Sequence, residues 1–411
     1  MIRPPVPSSD DARFALARRA FLAGAAATMA AASSCSARGS QAAKKYRVAV
    51  IGHTGRGDYG HGLDIAWKDV PQAEVVAVAD ADEKGLAQAM KRLGNVKGYP
   101  DYRRMLDEVK PDLVAVAPRW LDEHHDMVLA AAERGVRGIY LEKPMCRTLA
   151  EADEMIAACE KNKVKLAAAF QTLYSQKLPV IKKLIDDDGI GQVLEFRARG
   201  KDDRLRGGGE DLCVLGPHMF NLIQFFGGDP QWCFASVYQQ GHPVTKADVT
   251  EGNEGIGPLA GDNVHAMYRL AGGATAYFDS VRNAAGSPSR FGLEILGAKG
   301  IIQIFNTGHL PECFYLRDSS WSPGRSKKQW VPISSAGVGK PEPLKDLGLH
   351  GGNLRAIGDL IAAIEEDRQP AASMYAARSA WEMVVAVFES HRTGGPVTLP
   401  LKNRQNPLGM L

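Results

Sequence analysis

The sequence predicts an α/β protein with two domains: an N-terminal, doubly wound parallel sheet and a C-terminal α/β domain with a large, mostly antiparallel open sheet. Three observations support this prediction. In the first part of the chain, continuous apolar runs alternate with amphipathic segments, as in parallel strands joined by crossover helices. Beyond about residue 170, longer runs with partial alternation predict antiparallel strands covered on one side. The length of 411 residues exceeds what one hydrophobic core normally serves.

Five apolar runs predict the strands of the first domain, which we place at residues 44–165. They are YRVAVI (46–51), AEVVAVA (73–79), DLVAVA (112–117), GIYLE (138–142) and VKLAAAF (164–170). The fifth run crosses the boundary to the second domain. Parallel strands that are buried on both faces have such continuous apolar sequences. After the fourth run, Thr148 and Glu151 have capping-box spacing, which predicts that a helix follows directly.

Five further runs predict the strands of the second domain, which we place at residues 166–401. They are QVLEFRAR (192–199), DNVHAMYRL (262–270), ATAYFDSV (274–281), FGLEILG (291–297) and GIIQIF (300–305). Helical patterns at 353–366 and 376–391 close the domain. Long polar connections, which frequently carry function, are expected at 200–211, 239–261 and 317–350.

Composition argues against several classes of partner and site. The formal net charge of +3 is too small to indicate nucleic acid or an anionic membrane surface. The cysteines are scattered and form no C-x-x-C pair, so we expect buried free thiols rather than a disulfide framework or a zinc site. Acidic and histidine residues are adjacent at 122–126, but neighbours on a helix point to different faces, so no metal site is expected there.

Residues 1–37 are predicted to be an export signal of the twin-arginine type. An arginine pair, Arg18 and Arg19, precedes a weakly apolar, Ala-rich stretch that is too short for a membrane span. The mature protein is therefore expected in the periplasm or otherwise exported. The second-ranked alternative is a lipoprotein anchored to the membrane at Cys35, because the three preceding residues lack a large aliphatic side chain.

A glycine-rich stretch follows the first predicted strand. Gly55, Gly57 and Gly60 spell G-x-G-x-x-G, but they begin several residues after the strand ends at Ile51. We therefore expect Gly52 to make the tight turn of a longer loop whose backbone approaches the pyrophosphate of a dinucleotide. A mobile surface loop is the alternative, which the glycines alone do not exclude. A P-loop is excluded because no Gly-Lys-Ser/Thr follows.

Asp80 strengthens the dinucleotide interpretation. It ends the second strand, twenty positions after Gly60, where a carboxylate accepts hydrogen bonds from the ribose hydroxyls of the adenosine half and repels a 2′-phosphate. NAD is therefore the expected cofactor, in preference to NADP. The other role open to Asp80, capping the next helix, suits Asp82 better.

The chain resembles the Gfo/Idh/MocA oxidoreductases over roughly residues 45–401. The resemblance rests on LEKPM (141–145), HDMVLAAAERG (125–135), GGG (207–209) with GPHMFNLIQFFGG (216–228), and SHRTGGPVTLPL (390–401). It implies a Rossmann domain, a nicotinamide cofactor and sugar or cyclitol substrates. It also implies that the open sheet of the second domain mediates oligomers, so a homo-oligomer is expected.

Lys143 and His218 are the predicted catalytic residues. Oxidation of a secondary alcohol requires a cation near the oxygen and a group that takes the proton. Lys143 follows the fourth strand, at the edge where open α/β sheets bind ligands, and His218 begins a helix. A solvated lysine and a structural histidine are the alternatives. The family often has an acid four residues before this histidine, where this chain has Val214, so the identity of the general base stays open.

The resemblance and the loop charges suggest further site residues. Beside the cofactor we expect Gly52, Gly55, Gly57, Asp80, Pro118, His125 and Glu142, whereas His124 is expected to be exposed. Candidates to compensate for the missing acid are Glu210, Asp211 and Asn221. Arg204 is a candidate to bind a polyhydroxy substrate, although solvated loop charge explains it equally well.

Three functions fit these residues. The first is an NAD-dependent oxidoreductase acting on a secondary hydroxyl of a sugar or cyclitol, with redox-neutral turnover if the cofactor is tightly held. The second is a glycosidase or lyase, in which transient oxidation acidifies a neighbouring C–H and elimination releases the aglycone. The third, a non-catalytic dinucleotide-binding regulator, is disfavoured by the presence of Lys143 and His218.

Overall fold

The computed structural model describes residues 45–411, so the predicted signal at 1–37 and Cys35 lie outside the described residues. The first part of the chain forms a parallel sheet. Its strands are β1 (Tyr46–Ile51), β2 (Ala73–Ala79), β3 (Lys97–Tyr99), β4 (Leu113–Val116), β5 (Gly138–Leu141) and β6 (Lys165–Ala168). They pair in the order β3-β2-β1-β4-β5-β6. The order reverses beside β1, which is the crevice where open sheets of this kind bind ligands.

Four helices accompany this sheet. They are α1 (Glu83–Arg92), α2 (Tyr102–Val109), α3 (His124–Glu133) and α4 (Leu149–Lys161). Asp82 caps α1 by accepting a hydrogen bond from the backbone N–H of Gly85 at 2.6 Å. Thr148 caps α4 in the same way through the N–H of Glu151 at 3.2 Å. Both caps were predicted from the sequence.

The connection between β1 and β2 contains no α-helix in residues 52–72, all of which the structure describes. It consists of turns and a short 3-10 helix at Ile65–Asp69. Asp58, Gly60 and Gly62 have φ angles of 54°, 60° and 80°, which are incompatible with a right-handed helix. The prediction of a longer loop is therefore confirmed, and no α-helix N-terminus faces the ligand crevice from this connection.

The second part of the chain forms an eleven-stranded sheet and a separate two-stranded ribbon, β10 with β11. The thirteen strands are β7 (Val193–Arg199), β8 (Pro230–Gln239), β9 (His242–Pro243), β10 (Thr250–Glu251), β11 (Pro258–Leu259), β12 (Asn263–Leu270), β13 (Thr275–Val281), β14 (Gly292–Gly297), β15 (Gly300–Phe305), β16 (Glu312–Leu316), β17 (Val331–Ser334), β18 (Gly337–Val338) and β19 (Val397–Thr398). The large sheet runs β18-β17-β16-β15-β14-β7-β13-β12-β8-β19, with β9 on β8. Only the β13–β7 pair is parallel among its described pairs.

Helices cover one face of the large sheet. The helices of this part are α5 (Lys177–Asp186), α6 (Gly209–Val214), α7 (Gly216–Gly227), α8 (Pro323–Ser326), α9 (Gly348–Glu365) and α10 (Met374–Thr393). On the covered face, Phe220 of α7 lies edge-on to Tyr268 of β12, whose hydroxyl donates to the carbonyl of Met383 in α10 at 2.8 Å. On the other face, Phe234 is 46% exposed and lies opposite Met267 of β12. The predicted fold class is confirmed.

Helix α9 returns to the first domain. Its buried residues Ile357, Leu360 and Ile361 belong to the same apolar cluster as Val48 of β1 and Tyr140 of β5. The C-terminal part of the chain thus helps to form the core under the parallel sheet, and it brings the beginning of α9 close to the ends of the strands.

Within residues 45–411, no helix is long and apolar enough to cross a lipid bilayer. Over the same residues, no group of three or more His, Cys, Asp or Glu side chains is placed to hold a metal ion. The five cysteines of this part of the chain are buried and unpaired, as predicted.

Candidate active site

The candidate site lies where the parallel strands end. The loops after β1, β4 and β5 meet there, and the 207–218 segment of the second domain approaches from the other side. This arrangement follows from parallel pairing, because the carboxyl ends of all parallel strands lie at one edge of the sheet.

The glycines after β1 are required mainly by close contacts inside the protein. A Cβ on Gly52 would lie 2.2 Å from the ring of Tyr59, and one on Gly57 would lie 2.3 Å from the backbone nitrogen of Arg119. A Cβ on Gly60 would lie 2.4 Å from Oε2 of Glu142. Gly55 differs, because its φ is 82° and nothing lies within 4 Å of its Cβ position. The loop therefore presents open backbone at Gly55.

The glycine spacing can now be assigned from the structure. Because β1 ends at Ile51, Gly52, Thr54 and Gly57 already have the spacing of a G-x-G-x-x-G motif that starts at the strand end. Thr54 then stands at the second position, where dinucleotide-binding loops usually have glycine. The motif predicted at Gly55, Gly57 and Gly60 is one of two that overlap in this loop.

Asp80 is buried directly below this loop and holds it. Its carboxylate accepts hydrogen bonds from the Thr54 hydroxyl at 2.7 Å, the Tyr59 hydroxyl at 2.8 Å and the Asp82 N–H at 3.0 Å. The N–H of Thr54 lies 3.1 Å from both of its oxygens. A carboxylate offers about four lone-pair sites, so these four donors occupy its capacity. A ribose hydroxyl would have to displace one of them.

A cavity of about 210 Å³ lies beside Asp80. It opens between the ends of β1 and β2 and helix α3, where folds of this class hold the adenosine half of a dinucleotide. Its walls are formed by Ile51, Gly52, His53, Ala79, Asp80, Ala81, Pro100, Asp101, Tyr102, Glu123 and Met127. The cavity and the open backbone at Gly55 together fit a bound dinucleotide.

Glu142 is completely buried and faces His61 of the glycine-rich loop. Its Oε2 accepts from the backbone N–H of His61 at 2.9 Å and lies 2.9 Å from the ring Nδ1. Its Oε1 accepts from the N–H of Lys143 at 2.9 Å. Burial alone would raise the pKa of Glu142, but the bonds and charge from His61 and the charge of Lys143 outweigh it and lower this pKa. Glu142 is therefore ionised, and the contacts that the structure gives it are to the protein.

His61 was not among the residues predicted from the sequence. Its backbone is held on both sides, because its N–H donates to Glu142 and its carbonyl accepts from the amide of Asn353 at 3.0 Å. Asn353, on α9, is itself fixed by hydrogen bonds from Tyr140 and Gln171 at 2.7 and 3.0 Å. The only sequence signal was a histidine inside the glycine-rich loop.

Lys143 is buried, with 5% of its surface exposed. Its ammonium group donates a hydrogen bond to the carbonyl of Val214 at 3.1 Å. Burial lowers the pKa of Lys143 and the nearby positive charges of Arg206 and Lys201 lower it further, against the opposing carboxylates of Glu142 and Glu254. The solvated-lysine alternative is thereby excluded by the structure.

His218 lies in the same site, also with 5% exposure. Its ring packs edge-on against Phe170 at 5.8 Å between centroids, and its Nδ1 is buried without a hydrogen-bond partner among the described residues. Burial, followed by the charges of Lys143 and His61, holds the pKa of His218 well below its usual range. The ring is therefore neutral at pH 7.

Asp211, Asn221 and Arg204 have different surroundings. Asp211 is buried and its Oδ2 accepts from the Ser280 hydroxyl at 2.7 Å and the Asp202 N–H at 3.0 Å. Burial raises the pKa of Asp211 to about 6, and its Oδ1 has no partner among the described residues. Asn221 is buried one turn after His218, whereas Arg204 is exposed. Asp211 thus lies inside the second domain.

The two adjacent histidines are arranged opposite to the expectation. His124 is fully buried, with Nε2 at 2.7 Å from the carbonyl oxygen of Pro118 and Nδ1 at 3.0 Å from that of Pro144. The prediction that His124 is exposed was wrong. The ring of His125 instead lies beside the surface carboxylates Asp126 and Glu154, at 2.9 and 2.8 Å. The reason is helical geometry, since neighbours on α3 point to different faces.

Comparison with known proteins identifies the family. The NAD-binding Rossmann domain of the Gfo/Idh/MocA oxidoreductase family matches residues 46–170, and the C-terminal domain of the same family matches residues 180–303. Together the two matches cover more than half of the chain. The chain belongs to the Gfo/Idh/MocA oxidoreductase family. Its first domain is accordingly an NAD-binding Rossmann domain.

Relatives within the Gfo/Idh/MocA family include sugar and cyclitol dehydrogenases. Levoglucosan dehydrogenase from Pseudarthrobacter phenanthrenivorans is 27% identical over 56% of this chain and 64% of that protein. Myo-inositol 2-dehydrogenase from Thermotoga maritima is 24% identical over 62% of this chain and 74% of that protein. A solved structure of levoglucosan dehydrogenase in complex with NADH and L-sorbose is 21% identical, covers 87% of this chain and all of that chain, and has a TM-score of 0.69. It shares the fold.

Proposed function

We propose that this protein is an NAD-dependent oxidoreductase that oxidises a secondary hydroxyl of a sugar or cyclitol. The observation that carries the proposal is the buried ammonium group of Lys143 at the carboxyl end of β5, hydrogen-bonded to Val214 and close to the neutral ring of His218. The dehydrogenases among its relatives support the same reaction class.

Lys143 stabilises the negative charge that develops on the substrate oxygen. Its ammonium group exchanges the carbonyl of Val214 for the substrate hydroxyl, and in a buried site such a charged donor is worth far more than in water. His218 is neutral and buried beside it, so it binds the substrate or orients it without repelling the lysine. Bound NAD supplies the hydride acceptor.

The residues fit a dinucleotide at the switch point of the sheet. The cavity beside Asp80 receives the adenosine half, and the open backbone at Gly55 is the place where phosphates approach the loop. The carboxylate of Asp80 disfavours a 2′-phosphate by charge, which supports NAD in preference to NADP. Pro118 and Glu142 contact His124 and His61, respectively, and so hold the loops around the site.

Two further proposals concern the whole protein. The open face of the large sheet, with half-exposed Phe234 beside Met267, supports association with a second copy of the chain. The arginine pair at Arg18 and Arg19 supports export by the twin-arginine route, with lipidation at Cys35 as the alternative. Size-exclusion chromatography and cell fractionation test these two proposals.

One experiment tests the reaction class. Purified protein is incubated with a panel of sugars, cyclitols and glycosides, with and without added NAD, and the products are analysed by mass spectrometry. Formation of a keto-sugar with stoichiometric NADH supports the proposed oxidoreductase. Release of an aglycone without net NADH would instead support the elimination reaction, and NAD binding without any product would support a regulator. A Lys143→Met variant is the control for background chemistry.

A further inference from the structure

We propose that His61, held by Glu142, is the general base of this site. The inference rests on the proposed function, because it names the group that takes the hydroxyl proton when the alcohol is oxidised. It also names a proton acceptor where the sequence left the general base open, because Val214 occupies the position of the expected acid.

His61 has the partner that His218 lacks. A base must carry the proton after transfer, and a carboxylate on the far ring nitrogen stabilises the resulting imidazolium. Glu142 is ionised and lies 2.9 Å from Nδ1 of His61. The Nδ1 of His218 has no partner among the described residues, and burial and the charge of Lys143 oppose its protonation. Of the two imidazoles, that of His61 is the one with a carboxylate on a ring nitrogen.

The orientation of the His61 ring follows from its bonds. A carboxylate only accepts hydrogen bonds, so Nδ1 carries the hydrogen that Glu142 receives and Nε2 presents a lone pair. The side chain is 30% exposed, so this nitrogen is accessible, whereas the carboxylate behind it is completely buried. The backbone bonds to Glu142 and Asn353 fix the residue despite the flexible glycines around it.

In the proposed step, the substrate carbon would lose its hydrogen as a hydride. The hydride carries both electrons of the C–H bond to NAD⁺, and the C–O bond becomes a carbonyl. The hydroxyl proton passes to Nε2 of His61, so that an ion pair of imidazolium and Glu142 carboxylate forms. Lys143 keeps its charge throughout and stabilises the oxygen. The imidazolium then releases its proton to water on the exposed side of the ring.

The first test measures the coupling of the pair and needs no substrate. Histidine ring signals are recorded by NMR under one buffer condition in the wild type, in Glu142→Gln and in His350→Ala. The titratable groups that the structure places against His61 are Glu142 and His218, and Lys143 adjoins both. We expect Glu142→Gln to shift the ring ¹H and ¹⁵N signals of His61, because the charged acceptor at Nδ1 is lost, and His350→Ala to leave them unchanged. His61 signals that are the same in Glu142→Gln and in the wild type would overturn the proposal.

The second test separates a catalytic from a structural role. On a sugar that the wild type oxidises, His61→Ala should lose about 100-fold in turnover with little change in NADH affinity, and added imidazole should restore part of the rate. His350→Ala is the matched control, because its ring also lies 2.9 Å from a carboxylate, that of Asp69, and is 32% exposed. Near-normal turnover of His61→Ala, or a loss that imidazole does not relieve at any pH, would refute the role. If the wild type oxidises no sugar, the proposed function fails and the NMR comparison alone tests the pair.

Discussion

The ammonium group of Lys143 donates a hydrogen bond to the backbone carbonyl of Val214, with 3.1 Å between the two atoms. The bond joins the end of β5 in the first domain to the end of α6 in the second. A neutral carbonyl is a weaker partner for an ammonium group than a carboxylate would be. Lys143 is therefore oriented by a weak bond and not held in a strong ion pair. It can exchange this bond for one to a substrate oxygen.

Replacement of Lys143 by methionine tests this arrangement. Lys143→Met keeps most of the side-chain volume but removes the charge, so we expect a fall in turnover of about 100-fold or more. Cofactor affinity should persist, because the lost interaction acts on the substrate oxygen. Steady-state kinetics and NADH fluorescence titration measure the two effects.

Lys177 provides a matched control for that experiment. It is also buried and its ammonium group donates to a backbone carbonyl, that of Pro311, at 2.8 Å. Lys177→Met should therefore perturb stability while leaving turnover largely intact. Equal activity losses in the two variants would show that the loss in Lys143→Met comes from structure and not from the chemistry.

Asp80 is predicted to set cofactor choice. Asp80→Ser should weaken NAD binding far more than NADP binding, by about 1 to 3 kcal/mol, if a buried charged hydrogen bond to the ribose is lost. Asp80 also accepts hydrogen bonds from Thr54 and Tyr59 of the glycine-rich loop, so its replacement affects the loop as well. Titration of the variant with both cofactors measures the difference in binding.

Tyr59→Phe separates the two roles of Asp80. It removes one of the four donors and leaves the carboxylate with a free lone pair. If Asp80 reads the ribose, this variant should bind NAD at least as tightly as the wild type does. Weaker binding of NAD and NADP to the same extent in both variants would show that Asp80 serves only to hold the loop.

Asp211 is expected to destabilise the folded protein at neutral pH but not near pH 4. Burial raises its folded-state pKa to about 6, against about 3.9 in an unfolded chain. Between these values the folded state binds more protons, so stability falls as the pH rises through that window. Above pH 6 the loss is constant and on the order of 2 to 3 kcal/mol, since each pKa unit corresponds to about 1.4 kcal/mol.

Asp211→Asn should recover this stability. The amide oxygen can still accept from Ser280 and the Asp202 N–H, and no charge is buried. Denaturant unfolding at pH 8 and pH 4 measures the difference between variant and wild type, which should be large at pH 8 and small at pH 4. If Asp211→Asn is less stable than the wild type at pH 8, the prediction is wrong. A raised KM of this variant would support the predicted contact between Asp211 and the substrate.

The fold could be predicted from the sequence where a strand is buried on both faces, because burial then requires an apolar composition. Strands β4 and β5 are buried at every residue, and buried parallel strands must be continuously apolar. Strand β8 was not predicted, because its open face carries aromatic residues such as Phe234, which hide the apolar–polar alternation expected of such a strand. The short edge strand β3 also lacks an apolar run.

The location of a candidate site residue was predictable only where a motif fixes it at a strand end. The location of Lys143 was predicted in this way, because it directly follows an apolar strand. His61 was missed because its partner Glu142 is 81 positions away, and no local pattern encodes that contact. The buried position of His124 was missed for a similar reason. Two adjacent residues at the start of a helix do not indicate which of them faces the protein interior.

The last prediction concerns the proposed export signal and the cofactor site together. The twin-arginine route exports proteins that are already folded, so an exported form would have to acquire NAD in the cytoplasm, before reaching a compartment where free NAD is scarce. If the cofactor does not exchange there, each hydride must be returned within the same site, to a second substrate or to the oxidised intermediate. We therefore expect near-equimolar NAD(H) after acid release and chromatography of mature protein from the periplasm. A variant with Arg18→Lys and Arg19→Lys should remain in the cytoplasm and serves as the control. Periplasmic protein that is empty and reduces added NAD stoichiometrically would show an open cycle and an ordinary dehydrogenase.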